Sequence, residues 1–111
     1  MYSFSVYYKD RKTADIIVNE DNVIYKRYSE DIMSVPFMFE PTKEHIVEFI
    51  KSRCISKERV ENTPGYLENL GLSSYEPLEI VKKTHGIMWE DYMWIKFPDD
   101  NITWEDVKVR D

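Results

Sequence analysis

The N-terminal residues alternate in character with a period of two, and this pattern constrains the fold more than any other in the chain. Apolar and aromatic side chains occupy every second position of the first segment: Tyr2, Phe4, Val6 and Tyr8. This is the period of a half-buried β-strand. Two β-branched runs follow at 14–18 and 23–28, and each is preceded by a cluster of turn-forming residues. The sequence therefore predicts a three-stranded antiparallel meander over residues 1–28.

The segment after the meander changes to helical patterning. Residues 29–40 have neither period and contain Pro36, so they are predicted to form a loop. A helix is predicted over 42–54, with Thr42 as the capping residue. Its apolar stripe consists of Ile46, Val47, Phe49 and Ile50.

Two more helices are predicted before residue 86. Thr63 followed by Pro64 is typical of a helix start, and Gly71 would end that second helix. Ser74 is the predicted cap of a third helix that ends near Gly86. The helical segment as a whole spans residues 42–86.

The period of two returns near residues 92–97, which predicts a C-terminal strand that rejoins the sheet. A turn follows at 98–101, and Thr103 can cap a last helical turn. Strands, then helices, then a strand define an α+β fold rather than an alternating parallel one. With 111 residues the chain has room for one core. We therefore expect a single domain over 1–111, made of the 1–28 meander, the 42–86 helical segment and an acidic, Trp-rich 87–111 segment.

Charge and cysteine content limit the classes of partner. The net charge is −6, and residues 56–111 hold seven basic and twelve acidic side chains, which gives −5 for that half. General nucleic-acid binding is therefore not expected. A protein partner with a basic surface is expected instead. Cys54 is the only cysteine, and no apolar run is long enough to cross a membrane. We expect a cytoplasmic protein without membrane attachment.

The C-terminal segment combines all three tryptophans with paired carboxylates. These residues form the predicted partner-binding face: Trp89, Glu90, Asp91, Trp94, Asp99, Asp100, Trp104, Glu105 and Asp106. Acidic groups beside large apolar rings suit recognition of a basic or Arg-rich surface. The alternative is that at least two of the tryptophans anchor the last strand to the sheet.

The sequence predicts no enzymatic activity, cofactor or metal site. His45 and His85 have no Cys, Asp or Glu at zinc-ligand spacing, and three glycines are too few for a phosphate-binding loop. Cys54 lies near basic residues that could favour its thiolate, but a lone cysteine is more often a small buried apolar residue. The paired carboxylates could perform acid–base work, yet solvated turns and caps explain them more simply.

DNA recognition is a second alternative. Residues 57–85 could form a helix-turn-helix, whose phosphate contacts would be Arg53, Lys57, Arg59, Lys82, Lys83 and His85. Five glutamates between these bases would repel a phosphate backbone, so this interpretation is disfavoured.

Residues 49–107 resemble a small bacterial family of phage and other mobile elements, which also occurs as an accessory segment ahead of HipA-like toxin kinase domains. The resemblance is carried by these residues: Arg53 in Ser-Arg-Cys-Ile-Ser-Lys-Glu-Arg, Leu67-Glu-Asn-Leu-Gly-Leu, Pro77-Leu-Glu-Ile, Gly86, Asp91, Trp94-Ile95 and Thr103-Trp-Glu-Asp-Val. It implies a non-catalytic module that works beside or against another protein, and no kinase residue is carried over.

Together these observations predict a small binding or regulatory protein, related to toxin–antitoxin systems, that acts by protein contact. The first alternative is an anti-CRISPR-like acidic inhibitor that mimics DNA on the surface of a host defence nuclease.

Overall fold

A single antiparallel sheet organises the protein. The computed structural model describes residues 1–109, so the last two residues of the predicted 87–111 segment lie outside the described part. The strands are β1 (Tyr2–Tyr8), β2 (Arg11–Val18), β3 (Val23–Arg27) and β4 (Met93–Lys96). Their order is β3-β2-β1-β4, and each neighbouring pair is antiparallel. The predicted meander and the return of a C-terminal strand to the sheet are confirmed.

The helices are short and lie between β3 and β4, except for the last. Within residues 1–109 they are α1 (Lys43–Ser52), α2 (Lys57–Glu61), α3 (Tyr66–Asn69), α4 (Pro77–Thr84) and α5 (Trp104–Val107). Thr42 caps α1 as predicted, because its hydroxyl accepts a hydrogen bond from the N–H of His45. Thr103 is the N-cap residue of α5. This segregation of strands and helices confirms the α+β class.

The structure adds one helix to the three predicted before residue 86, and two of those three begin at other residues than predicted. The missed helix is α2, which Ser56 caps and which buries only Val60. Thr63 does not begin a helix, because its hydroxyl donates to the carbonyl of Arg59 and so closes α2. Ser74 is not a cap either, since α4 begins at Pro77 with Glu76 as its N-cap residue.

One face of the sheet packs against α1 and α4 and forms the core. The alternation of β1 and β2 points every second side chain toward this face. The buried cluster contains Phe4, Val6, Ala14, Ile16, Val18, Ile46, Ile50, Val81, Met93, Ile95 and Phe97. Phe49 of α1 packs against Phe4 of the sheet and against Phe37 of the 29–41 loop, with ring centroids 6.4 and 5.7 Å away. These aromatic contacts fix the loop to the core.

The opposite face of the sheet carries a polar network centred on Asp15. The hydroxyls of Ser5 and Tyr28 both donate to its carboxylate, and Lys12 lies 3.4 Å away. Burial by itself would raise the pKa of Asp15, but these two hydrogen bonds and the lysine charge outweigh it, so the pKa is lower than usual. The carboxylate therefore links β1, β2 and the end of β3 most strongly when it is ionised.

Candidate functional site

Arg53 organises the entry to β4. It is only 6% exposed, and its guanidinium donates to the carbonyls of Gly86 and Met93 at 2.9 and 2.6 Å. It also donates to both carboxylate oxygens of Asp91, at 2.7 and 2.9 Å. Gly86 has φ +63°, and a Cβ there would lie 3.0 Å from the Cβ of Arg53. This cluster, which we call the Arg53 clamp, joins the end of α1 to the segment that leads into β4.

The clamp also closes the outer edge of the sheet at β4. In a ladder with β1, the main-chain groups of Met93 and Ile95 face away from the sheet. The carbonyl of Met93 accepts from Arg53, and the N–H of Ile95 donates to the carbonyl of His85 at 2.7 Å. The other two outward groups also have partners, because the N–H of Met93 donates to Asp91 at 3.1 Å and the carbonyl of Ile95 lies 3.3 Å from the ring of His85. β4 is therefore a protected edge.

Two of the three tryptophans are buried. Trp94 is 1% exposed, stacks on Tyr7 with ring centroids 4.9 Å apart, and donates its indole N–H to the carbonyl of Lys9. Trp104 is 5% exposed and meets the ring of Tyr92 edge to face at 5.9 Å. These rings fix β4 and α5 in place, so they do not form part of an exposed face.

Several predicted partner-binding carboxylates form contacts within the fold. Asp91 pairs with Arg53 in the clamp. Asp100 accepts from the N–H of Phe97 at 2.8 Å, and its carboxylate lies 3.4 Å from the ring of His85. Asp106 accepts from the N–H of Thr103 at 2.7 Å, and Glu105 lies 3.0 Å from Lys108. These side chains are therefore engaged in turns, caps and ion pairs.

The exposed carboxylates are not arranged in one row. Glu90 precedes β4 and Asp99 follows it, so the length of the strand lies between them. The chain then turns back, because the contact of Trp104 with Tyr92 brings α5 to the beginning of the strand. The structure thus divides the predicted acidic face into separate groups.

Trp89 is the tryptophan that the structure leaves at the surface. It is 63% exposed and lines a groove of about 400 Å³. We define the Trp89 groove by six of its lining residues: Cys54, Arg59, Tyr66, Met88, Trp89 and Glu90. Its walls combine aromatic, apolar and sulfur-containing side chains with the carboxylate of Glu90 and two arginines, Arg59 and the buried Arg53. Such a groove can hold an apolar side chain and its polar neighbours.

The sequence located only part of this groove. Trp89 and Glu90 belong to the predicted face, whereas Arg59 and Tyr66 come from α2 and α3. No local pattern marks Tyr66 as a surface residue near Trp89, because packing of the short helices creates that proximity. Arg59 was predicted as a possible phosphate contact and as a basic neighbour of Cys54, not as part of the partner-binding face.

Next to the groove, Cys54 and Tyr75 form a hydrogen-bonded pair. The Tyr75 hydroxyl donates to the carbonyl of Ile55 at 2.8 Å and lies 3.6 Å from the Cys54 sulfur. Burial, together with the hydrogen bond to Cys54, raises the pKa of Tyr75 to about 12. The phenol therefore stays protonated and ties the chain after α1 to the start of α4.

Residues 57–85 do not form one pair of helices. They contain α2, α3 and α4, which have five, four and eight residues. Arg53 is buried in the clamp, and Lys82 lies 3.2 Å from Glu79. The helix-turn-helix prediction therefore receives no support from this geometry.

Among residues 1–109, no three His, Cys, Asp or Glu side chains are grouped so that they could hold a metal ion. The helices of this part of the chain also lack the length and apolarity for a membrane crossing. Comparisons with protein-family models, curated proteins and solved structures gave no match.

Proposed function

We propose that this chain is a non-enzymatic binding module of a phage or other mobile element that contacts a partner protein through the Trp89 groove. The observation that carries the proposal is the 63% exposure of Trp89 beside that groove. A tryptophan left in water offers a large apolar area, and buried tryptophans are among the strongest contributors to protein interfaces. The single cysteine supports a cytoplasmic site of action.

The proposed partner is a regulatory or toxin-like protein with an apolar side chain and a basic surface. The apolar side chain would enter the groove and cover Trp89, which also displaces water from Tyr66 and Met88. A cation on the partner would meet Glu90, the exposed carboxylate next to Trp89. The resemblance to accessory segments of HipA-like kinases supports a partner of this kind.

The hydrogen bonds that the carboxylates form within the fold favour a binding role over catalysis. General acids and bases must be free to exchange protons with a substrate. Asp91 is engaged by Arg53, Asp100 by the N–H of Phe97, and Asp106 by the N–H of Thr103. These contacts support a structural role for the three carboxylates.

The alternative of an acidic DNA mimic has less support. Mimicry of a phosphate backbone requires carboxylates that are free and spaced along one surface. Here Glu90 and Asp99 lie at opposite ends of β4, and Glu105 has a lysine partner. An exposed aromatic groove has no role in that mechanism.

The test measures partner affinity at two salt concentrations with three variants. A partner is first captured from bacterial lysate and then purified, so that its Kd can be measured. Trp89→Ala removes the exposed ring, and Ile32→Ala is the matched control because Ile32 is 69% exposed in a different region. A third variant replaces Glu90, Asp99 and Glu105 with amides, the last of which has only an exposed lysine contact, and it spares Asp91, Asp100 and Asp106.

We expect Trp89→Ala to weaken binding by about 30-fold, the equivalent of a hot-spot loss of about 2 kcal/mol, with little effect of salt. Ile32→Ala should bind like the parent chain. Loss of binding in the amide variant with a steep salt dependence would instead establish the DNA mimic. Unchanged binding in Trp89→Ala would refute the proposed contact.

A further inference from the structure

The two edge strands of the sheet, β4 and β3, differ in whether their outward main-chain groups are hydrogen-bonded. At β4 the outward main-chain groups are bonded to Arg53 and to the carbonyl of His85. At β3, two hydrogen bonds at the ends of the ladder show which residues turn their main-chain groups toward β2. The N–H of Tyr28 donates to the carbonyl of Thr13, and the N–H of Asn19 donates to the carbonyl of Asn22. Main-chain groups alternate in direction along a strand. Those of Ile24 and Lys26 therefore face β2, and those of Val23, Tyr25 and Arg27 face outward.

The outward groups of β3 have no partner in residues 1–109. No main-chain or side-chain hydrogen bond in this part of the chain reaches the outward N–H and C=O groups of Val23, Tyr25 and Arg27. Three donors and three acceptors at strand spacing form a template for one more strand. The protein protects one edge of its sheet with a buried arginine and leaves the other edge available.

A groove runs beside this free edge, on the side to which Tyr25 and Arg27 point. It has a volume of about 290 Å³ and is lined by Tyr25, Arg27, Glu30, Met38, Phe39 and Glu40. The far wall belongs to the 29–41 loop, which Tyr25 holds by donating its hydroxyl to the carbonyl of Phe37. Met38 and Phe39 are exposed although they are apolar. An added strand would direct every second side chain toward this wall.

We propose that β3 accepts an extended segment of a basic partner protein as a fifth strand, whose alternate side chains enter the groove. The groove selects these side chains by charge and by apolar contact. Glu30 and Glu40 are exposed carboxylates on its walls, and the only cation there, Arg27, lies 3.5 Å from Glu30. A lysine or arginine of the segment would meet the carboxylates, and an apolar residue would cover Phe39.

A second copy of the chain fits this edge less well. Each copy carries a net charge of −6, and pairing of two β3 strands would bring two sets of the same groove carboxylates together. β3 has only five residues, among them Lys26 and Arg27, and short charged edge strands resist self-pairing. The occupant is therefore a segment of opposite charge from another protein.

The test uses the whole chain and the blocked peptide Thr-Lys-Thr-Val-Thr-Lys-Thr, followed by amide hydrogen exchange at single residues. With peptide at about 100 times its Kd, exchange at Val23, Tyr25 and Arg27 should slow by up to about 100-fold, since protection by a ligand scales with its saturation. Ile24 and Lys26 are already bonded to β2 and should change much less. A peptide of the same sequence with alternate amides methylated is the control that cannot form the ladder.

Three results would overturn the proposal. The first is exchange that the peptide does not change, and the second is equal slowing at all five residues. The third is slowing at Val23, Tyr25 and Arg27 that grows with protein concentration and needs no peptide, because this would assign the edge to a second copy. Each outcome is visible in the same exchange measurement.

A pair of variants at Val23 separates edge pairing from side-chain contact. Val23→Pro removes one outward N–H, and proline is tolerated at the first residue of a strand. Val23→Ala keeps that N–H and also loses the valine side chain. Only the proline variant should lose peptide binding, while exchange in β1 and β2 reports that the sheet is intact. Trp89→Ala should bind the peptide normally, which keeps this site distinct from the Trp89 groove.

Discussion

Replacing Arg53 with methionine isolates the contribution of the clamp to stability. Methionine retains an unbranched apolar chain that can fill most of the volume, but it donates no hydrogen bond. The carbonyls of Gly86 and Met93 would then lose their partner inside the protein. Asp91 is affected less, because its side chain is 37% exposed and can turn to water.

The magnitude follows from these partners. An unsatisfied buried acceptor costs about 1–3 kcal/mol, and two carbonyls are left. Asp91 can turn to water, so its loss of the arginine adds little to this cost. We therefore expect Arg53→Met to lower the free energy of unfolding by about 2–6 kcal/mol. Asp91→Asn keeps the bonds from Arg53 to both carbonyls but leaves the buried guanidinium without its counter-charge, so it should also cost about 3–5 kcal/mol.

The assay is equilibrium unfolding in urea, followed by tryptophan fluorescence, with the slope checked for two-state behaviour. Arg53→Lys keeps a cation beside Asp91 but cannot reproduce the fork of donors, so it should cost less than Arg53→Met. An Arg53→Met variant within about 1 kcal/mol of the parent chain, roughly the error of such comparisons, would contradict this expectation. A second contradiction would be an Asp91→Asn variant as stable as the parent chain, since the buried guanidinium would then need no counter-charge.

Three further outcomes follow from the same structure. Gly86→Ala should destabilise the protein by about 1–3 kcal/mol in urea unfolding, because its Cβ would meet Arg53. Gly71 has φ +77°, but a Cβ there would have no atom within 4 Å, so Gly71→Ala should lower the free energy of unfolding by less. Tyr75 has a pKa raised to about 12, so its contribution to stability is complete below the ordinary value of about 10 and is lost as the pH rises toward 12. Titration of phenolate absorbance should show a late-ionising component, and Tyr75→Phe should reduce it by one tyrosine. Asp15 has a lowered pKa, so its contribution is present above about 4 and is lost as the pH falls through the folded value. In Asp15→Asn the urea midpoint should fall less on acidification than in the parent chain. An equal fall of the midpoint in both proteins would contradict this expectation.

The strands could be predicted because their signal is local. Every second residue of β1 faces the core, so alternation of side-chain type reports burial directly. The missed helix α2 shows the limit of this approach, because it buries only Val60 among charged neighbours. Thr63 shows a second limit: the same hydroxyl can begin one helix or close the one before.

The candidate site was harder to predict because its contacts are distant in sequence. Glu90 and Asp91 are adjacent and chemically alike, yet one is exposed and the other is held by Arg53. Nothing within a few residues of either distinguishes them. Likewise, Trp89 and Trp94 differ because β4 carries Trp94 into contact with Tyr7, whereas Trp89 precedes the strand.

The strand order has a consequence for synthesis on the ribosome. β1 pairs on one side with β2, which follows it at once, and on the other side with β4, whose residues are translated much later. Until Met93–Lys96 emerge, the nascent chain carries a meander with β1 open along its second side. Closure over so long a separation is slow, and unpaired strands in incomplete chains invite association. Molecules stalled before β4 should therefore depend on chaperones. In chains that include β4, this strand pairs with the open side of β1, and the Arg53 clamp holds it there.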